Sequence, residues 1–255
     1  MTLPIFPDLK DASVFITGGG SGIGAALSEA FLRQGARVAF VQRSDASAFC
    51  DAMEAATGNR PRFIACDITD ADALQAAIAQ AAEAHGPISV LVNNAANDQR
   101  HRLEDITPDF MDWSLAINFK CYVTAIQAVV PGMRAQGTGA IVNLTSISYM
   151  MGNAGYPLYT SANSALNGLT RSLARELGPD RIRVNALAPG WVMTDKQLAQ
   201  WVTPEALAAH LERQCLPDRL APEDIAGAAL FLASSASRAM TGQALVVDGG
   251  VVVTG

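Results

Sequence analysis

Thr17-Gly18-Gly19-Gly20-Ser21-Gly22-Ile23-Gly24 is the stretch on which the reading of this chain turns. It closes the apolar run Ser13–Thr17 and opens an amphipathic, alanine-rich segment, the pattern of a strand passing through a tight turn into a helix. Glycine lacks a Cβ, so the backbone can turn sharply and bring N–H groups close to an anion held at the positive end of the helix. A pyrophosphate cradled by Gly18, Ser21, Gly22, Ile23 and Gly24 suits this turn; a glycine-rich turn with no ligand is the plainer alternative.

Outward from that turn, short β-branched runs alternate with longer helical stretches. The runs predict strands at Ser13–Thr17, Arg37–Val41, Pro61–Ala65, Ile88–Val92, Ala140–Leu144, Ile182–Leu187 and Ala244–Val247. Most are continuously apolar rather than alternating, as expected of strands covered by helices on both faces. Thr107-Pro108 and Thr203-Pro204 each place a capping hydroxyl before a proline at the first helical position, and Gly35 and Gly86 stand where helices stop. The periodicity predicts long helices at Pro108–Ala135 and Leu158–Leu177. The expected fold is α/β, one doubly wound domain over residues 1–255 with a seven-stranded parallel sheet and helices on both faces. Ligands should sit beyond the C-terminal strand ends.

Composition narrows the function. The chain has 255 residues, half of them hydrophobic and 16% charged, with a net charge of −6, so no basic surface invites nucleic acid. Cys50, Cys66, Cys121 and Cys215 lie far apart with no Cys-x-x-Cys pair, which fits a reducing compartment better than disulfides or a metal site. No apolar run reaches the roughly 20 residues of a membrane span, and MTLPIFPDLKDA has no secretory pattern. A soluble, cytoplasmic protein is expected.

Further segments follow in a telling order. Cys66-Asp67-Ile68 ends the third strand, Asn93-Asn94-Ala95-Ala96 the fourth, and Ser146 lies beyond the fifth. Asn118 falls in the long helix, Tyr159 opens the next one, and Pro189-Gly190-Trp191-Val192-Met193-Thr194 follows the sixth strand. With the Gly-x3-Gly-x-Gly spacing, the whole chain resembles the short-chain dehydrogenase/reductase family, although Ala96 replaces the family's usual glycine. The resemblance implies a Rossmann fold and NAD or NADP as coenzyme. Asp67 and Ile68 would lie at the adenine, Asn94, Ala95 and Ala96 beside the coenzyme, and Pro189, Gly190, Val192 and Thr194 on the nicotinamide side. It makes Tyr159 the acid/base, Ser146 the holder of the substrate oxygen and Asn118 the support of a water chain. Ser146 as a turn hydroxyl and Asn118 as a helical residue bonding nearby backbone are the plainer alternatives.

The family's lysine, four residues after the tyrosine, is absent: the run is Tyr159-Thr160-Ser161-Ala162-Asn163. A unit charge ~5.5 Å away at an effective dielectric of ~20 is worth roughly 3 kcal/mol, or about two pKa units. Without it Tyr159 is expected to titrate near its free value of about 10. Asn163 can still bond a ribose hydroxyl but carries no charge. Two readings follow, a dehydrogenase with weakened turnover or a non-catalytic nucleotide-binding protein.

Gln42 stands at the end of the second strand, where NAD-specific members carry a carboxylate, and Arg43 follows it. Arg43 suits a 2′-phosphate, or else stacks on adenine or extends into solvent, and Asp45 is near enough to compete. Either coenzyme is expected to bind.

For the substrate, Asn94–His101, Pro189–Thr194 and Gln214-Cys215-Leu216-Pro217 resemble the bacterial aldose 1-dehydrogenases within the family, which oxidise pyranoses to lactones. The C-terminal run Asp248–Gly255 departs by lacking an aromatic. A sugar pocket needs donors and acceptors around one flat apolar wall. Asn97, Asp98, His101, Ser148, Tyr149 and Asn153 are candidates for the polar part and Trp191 or Trp201 for the wall, under a helical lid at about 193–216. His101 reads more as a surface or backbone-bonded histidine, Tyr149 and Trp201 also suit lid or interface packing, and Arg100, Arg102 and Lys196 would suit a charged group on the sugar or else stay solvated. Polyol oxidation and ketone reduction are the competing activities. The resemblance also implies a homotetramer built on the two long helices.

Overall fold

The computed structural model describes residues 3–253; Thr254 and Gly255, at the end of the C-terminal run singled out above, lie outside the described residues. Seven parallel strands form one sheet in the order β3-β2-β1-β4-β5-β6-β7. They are β1 (Ser13–Thr17), β2 (Arg37–Gln42), β3 (Arg62–Ala65), β4 (Val90–Asn93), β5 (Gly139–Leu144), β6 (Ile182–Pro189) and β7 (Ala244–Val247). Every expected strand is present. The bounds differ most at β4, which runs from Val90 to Asn93, and at β6, which runs on through Pro189 because Ala188 and Pro189 pair with Val246 and Val247.

Continuous apolar strands place alternate residues on opposite faces, and both faces are covered. Val14 and Ile16 belong to a core with helices α1 (Gly22–Arg33) and α10 (Pro222–Ala233), while Phe15 belongs to a second core with α3 (Ala71–His85), α5 (Cys121–Gln136) and α7 (Pro157–Leu177). The shorter α2 (Ser47–Thr57) lies beside α1. Both Thr-Pro signals act as caps. Thr107 accepts from Phe110 N at the start of α4 (Pro108–Leu115), and Thr203 accepts from Ala206 N at the start of α9 (Pro204–Leu211).

The predicted long helix is not continuous. Between α4 and α5 the turn widens to π geometry over Ala116–Lys120. The remaining helices are short, α6 (Ser148–Met151) and α8 (Asp195–Gln200). Among the described residues no helix is long and apolar enough to cross a membrane.

Strand order reverses between β1 and β4, so the loops at their C-terminal ends part and leave a crevice. A buried polar ladder fixes the wall behind it. Asn93 Nδ2 donates to Asn143 Oδ1 at 3.0 Å, and Asn143 Nδ2 donates to Thr170 Oγ1 at 3.0 Å, joining β4 and β5 to α7.

Candidate active site

A cleft of about 920 Å³ opens at that crevice. At one end lies the glycine turn. Gly18 has φ +71°, and a Cβ on Gly24 would stand 1.8 Å from the Gly18 carbonyl oxygen, so the first turn of α1 seats directly on the end of β1. Ser21 begins that helix without a side-chain cap. The N–H groups of Gly22, Ile23 and Gly24 precede the first intrahelical bond, from Ala25 N to Ser21 O, and their residues line the cleft. This donor set fits the pyrophosphate of a dinucleotide.

The turn is braced from both sides. Asn94 Nδ2 donates to the carbonyls of Thr17 (3.0 Å) and Gly18 (3.1 Å), while Gln42 Oε1 accepts from Gly20 N at 3.0 Å. Gln42 Nε2 donates to Ser44, so this carboxamide holds the loop as well as lining the cleft. Arg43 is exposed at the same end, close enough to Asp67 to help hold its carboxyl below the usual range, although the hydrogen bonds from Thr69 contribute more. Asp45 accepts from Ser47 and does not line the cleft. Ile68, Ala95, Ala96, Pro189, Gly190, Val192 and Thr194 complete the lining as the sequence suggests, and Thr194 lies over Gly22.

At the other end Ser146, Tyr159 and Asn163 meet on the cleft. Burial, then the nearby Asp98 carboxylate, push the Tyr159 hydroxyl up to about 12 against hydrogen bonding from Ser146 and Asn163, with Tyr156 adding to the rise. This corrects the value near 10 expected from loss of the lysine alone. Asn163 is buried, and its Nδ2 donates to the main-chain carbonyl of Tyr159 at 2.8 Å, back along its own helix.

Asn118 is not on the cleft surface. The π turn directs it to the strand end beyond β4, where its Oδ1 accepts from Asn97 N (2.8 Å) and its Nδ2 donates to Asn97 O (3.1 Å). Here Asn118 pins the segment that carries Asn97 and Asp98. Tyr149 also lies off the cleft, near Arg171, which corrects its reading as a substrate residue. Its short helix α6 aims Ser148 inward instead. Trp201 lies off the lining as well, with Arg100 5.3 Å over its ring, and His101 is bonded to backbone at Gln99 O and Leu158 N.

Asn97, Ser148, Asn153 and Trp191 do line the cleft. Asn153 Nδ2 donates to the Tyr156 hydroxyl at 3.0 Å, and Trp191 Nε1 donates to Gln197 Oε1 at 2.9 Å. Residues 193–216 fold as α8 and α9 and cover this end. Asp98 accepts from Lys196 Nζ (2.7 Å) and Gln197 Nε2 (2.8 Å), which ties α8 to the segment beyond β4. Burial pushes the Asp98 carboxyl up, but these two bonds outweigh it and hold the group below its ordinary range. Lys196 and Arg100 line the cleft as well, and Gln197, His210, Arg213 and Tyr156 are lining residues that the sequence reading left out of the site. His210 lies near the end of α9 and Arg213 in the turn just beyond it, so no helical periodicity in the sequence marks the pair.

A family model described as enoyl-(acyl carrier protein) reductase matches residues 18–252. The chain is a short-chain dehydrogenase/reductase. It is 49% identical over 98% of its length to all of "Probable galactose dehydrogenase GalD" of Rhizobium meliloti. It is 43% identical over 98% of its length to 99% of the D-xylose 1-dehydrogenase of Caulobacter vibrioides. Among solved structures, the blue fluorescent protein from a metagenomic library, in complex with NADPH, superposes with a TM-score of 0.88 at 37% identity, covering 96% of this chain and 99% of that one. This short-chain dehydrogenase/reductase is thus an NAD(P)-dependent oxidoreductase, and its cleft carries the donor set that such a coenzyme needs.

Proposed function

We propose that the protein oxidises the anomeric hydroxyl of a free aldose to the lactone. The observation that carries this reading is one cleft in which Ser146 and Tyr159 meet a polar wall of Asn97, Asp98, Ser148 and Asn153 and the flat face of Trp191. Relatives named for galactose and xylose point the same way. When bound, NAD or NADP supplies the hydride acceptor. The Gly18–Gly24 turn holds the phosphates, Ser146 holds the reacting oxygen and Tyr159 takes its proton. Asn118 acts at one remove by fixing Asn97. The 193–216 segment is the lid over the sugar, and assembly as a homotetramer through α5 and α7 belongs to the same reading.

A tyrosine held at about 12 is overwhelmingly protonated near neutrality, so sugar oxidation is slow there and accelerates with rising pH. Asn163→Lys restores a cation and lowers that pKa by about two, for a gain in kcat of about a hundredfold at pH values well below 10. The gain shrinks above about pH 10, as the base form of the variant saturates. The test is a panel of pyranoses, polyols and ketones with both coenzymes, run on wild type and Asn163→Lys across pH. Lactone formation from an aldose with this pH-dependent gain supports the reading. Turnover of ketones or polyols alone would overturn it. A second reading, a non-catalytic nucleotide-binding protein, is favoured by the engagement of the Asn163 amide with Tyr159 O. Coenzyme binding without turnover in both proteins would select it.

A further inference from the structure

Five buried side-chain atoms among the described residues lack a hydrogen-bond partner: His85 Nδ1, Asn93 Oδ1, Ser148 Oγ, Thr160 Oγ1 and His210 Nε2. Of the five residues, only Ser148 and His210 line the cleft. Buried polar groups in folded proteins are almost always paired, so an unpaired atom at a ligand site marks where the ligand supplies the partner. Ser148 comes from the short helix after β5. His210 comes from α9, within the segment covering the cleft.

The imidazole is held in place. Its ring stands edge-on to Trp191, with centroids 5.3 Å apart and planes at 84°, and the indole is tethered through Nε1 to Gln197. The geometry points to His210 as a specificity residue whose Nε2 hydrogen-bonds a hydroxyl of a neutral, polyhydroxylated substrate. That hydroxyl is not the reacting one, which Ser146 and Tyr159 hold. The inference rests on the proposed function and deepens it by naming a residue that reads the sugar.

The charge state of the imidazole itself suits a hydroxyl partner. Burial lowers the His210 pKa and Arg213 adds to the fall, while a hydrogen bond with the Gln214 side chain and the Asp248 carboxylate oppose it without reversing it. The ring is neutral at pH 7 and pairs with a hydroxyl in either direction. A second unpaired group on the cleft, the Ser148 hydroxyl, can likewise donate or accept.

The test compares His210→Gln, His210→Asn and His210→Phe. Glutamine carries its amide to about the position of Nε2, asparagine only to that of Nδ1, and phenylalanine keeps the ring edge against Trp191 without a polar atom. The expected result is a KM for the substrate raised about tenfold in the Phe and Asn variants and near wild type in the Gln variant. In all three, kcat stays within about twofold and coenzyme affinity, followed by fluorescence titration, is unchanged. Calorimetric binding of D-galactose to the coenzyme-saturated proteins gives the same ranking without turnover. A Gln variant as impaired as Phe, or a Phe variant like wild type, overturns the assignment. Wild type that oxidises a polyol but no aldose defeats the aldose reading alone, and His210 is then judged on the polyol. Activity or binding confined to ligands with no second hydroxyl defeats His210.

Discussion

At position 163 a carboxamide stands where a cation would face Tyr159, and its amide turns back to the helix it belongs to. The identity of that residue is readable from the chain alone; its effect is not, because the tyrosine responds to burial and to Asp98, which the fold brings from beyond β4. Arg43 is a similar case. The sequence leaves it between phosphate binding and solvent, and the structure exposes it at the coenzyme end of the cleft while Asp45 bonds Ser47. Arg43→Ala is therefore expected to weaken NADP binding about tenfold and to leave NAD binding nearly unchanged, since a 2′-phosphate alone needs the forked cation. Fluorescence titration with both coenzymes checks this, and equal losses for the two would refute it.

Elements were legible where the signal is local. Strand runs, Thr-Pro caps and the glycine turn all depend on residues within a few positions of one another, and each forms where expected. The π turn at Ala116–Lys120 was not, because nothing in its composition distinguishes it from α-helix and Asn118 is satisfied by Asn97, 21 positions away. The contact between α8 and Asp98 is longer still, spanning 98 residues from Lys196 and 99 from Gln197. It joins the covering segment to the chain beside the tyrosine, so one substitution should act in two ways. Asp98→Asn loses the ion pair and is expected to raise KM about fivefold. It also removes a charge that raises Tyr159, so the alkaline rise of kcat should move to lower pH. Profiles of kcat and KM against pH separate the two effects; a uniform drop in kcat at every pH would show that Asp98 only shapes the loop.

Across the whole molecule, the burial that builds the two cores and walls the cleft suppresses ionisation of the groups it covers. Burial raises the Cys121 thiol from 9.0 to about 12, and burial with Asp98 raises Tyr159 from 10.0 to about 12. The folded protein therefore holds these protons more tightly than the unfolded chain. Their stabilising contribution is complete below about pH 9 and is lost as the pH climbs through about 12. Urea denaturation followed by circular dichroism should give a flat midpoint from about pH 7 to 8.5 and a falling one above about pH 9, with Cys121→Ala flattening the first part of the fall. A wild-type midpoint that stays level to pH 11 would contradict this account.

Strand, turn and coenzyme cradle were determined by the sequence itself, because apolar periodicity and the sterics of glycine act between near neighbours in the chain. The seven strands and the doubly wound layering follow from that. Tertiary structure decided which further polar side chains share the cleft. It turned Tyr149 and Asn118 off its surface, brought Lys196, Gln197 and His210 onto it, and set the charge around Tyr159. Electrostatics and hydrogen bonding act through space, between groups the chain holds far apart until the sheet closes.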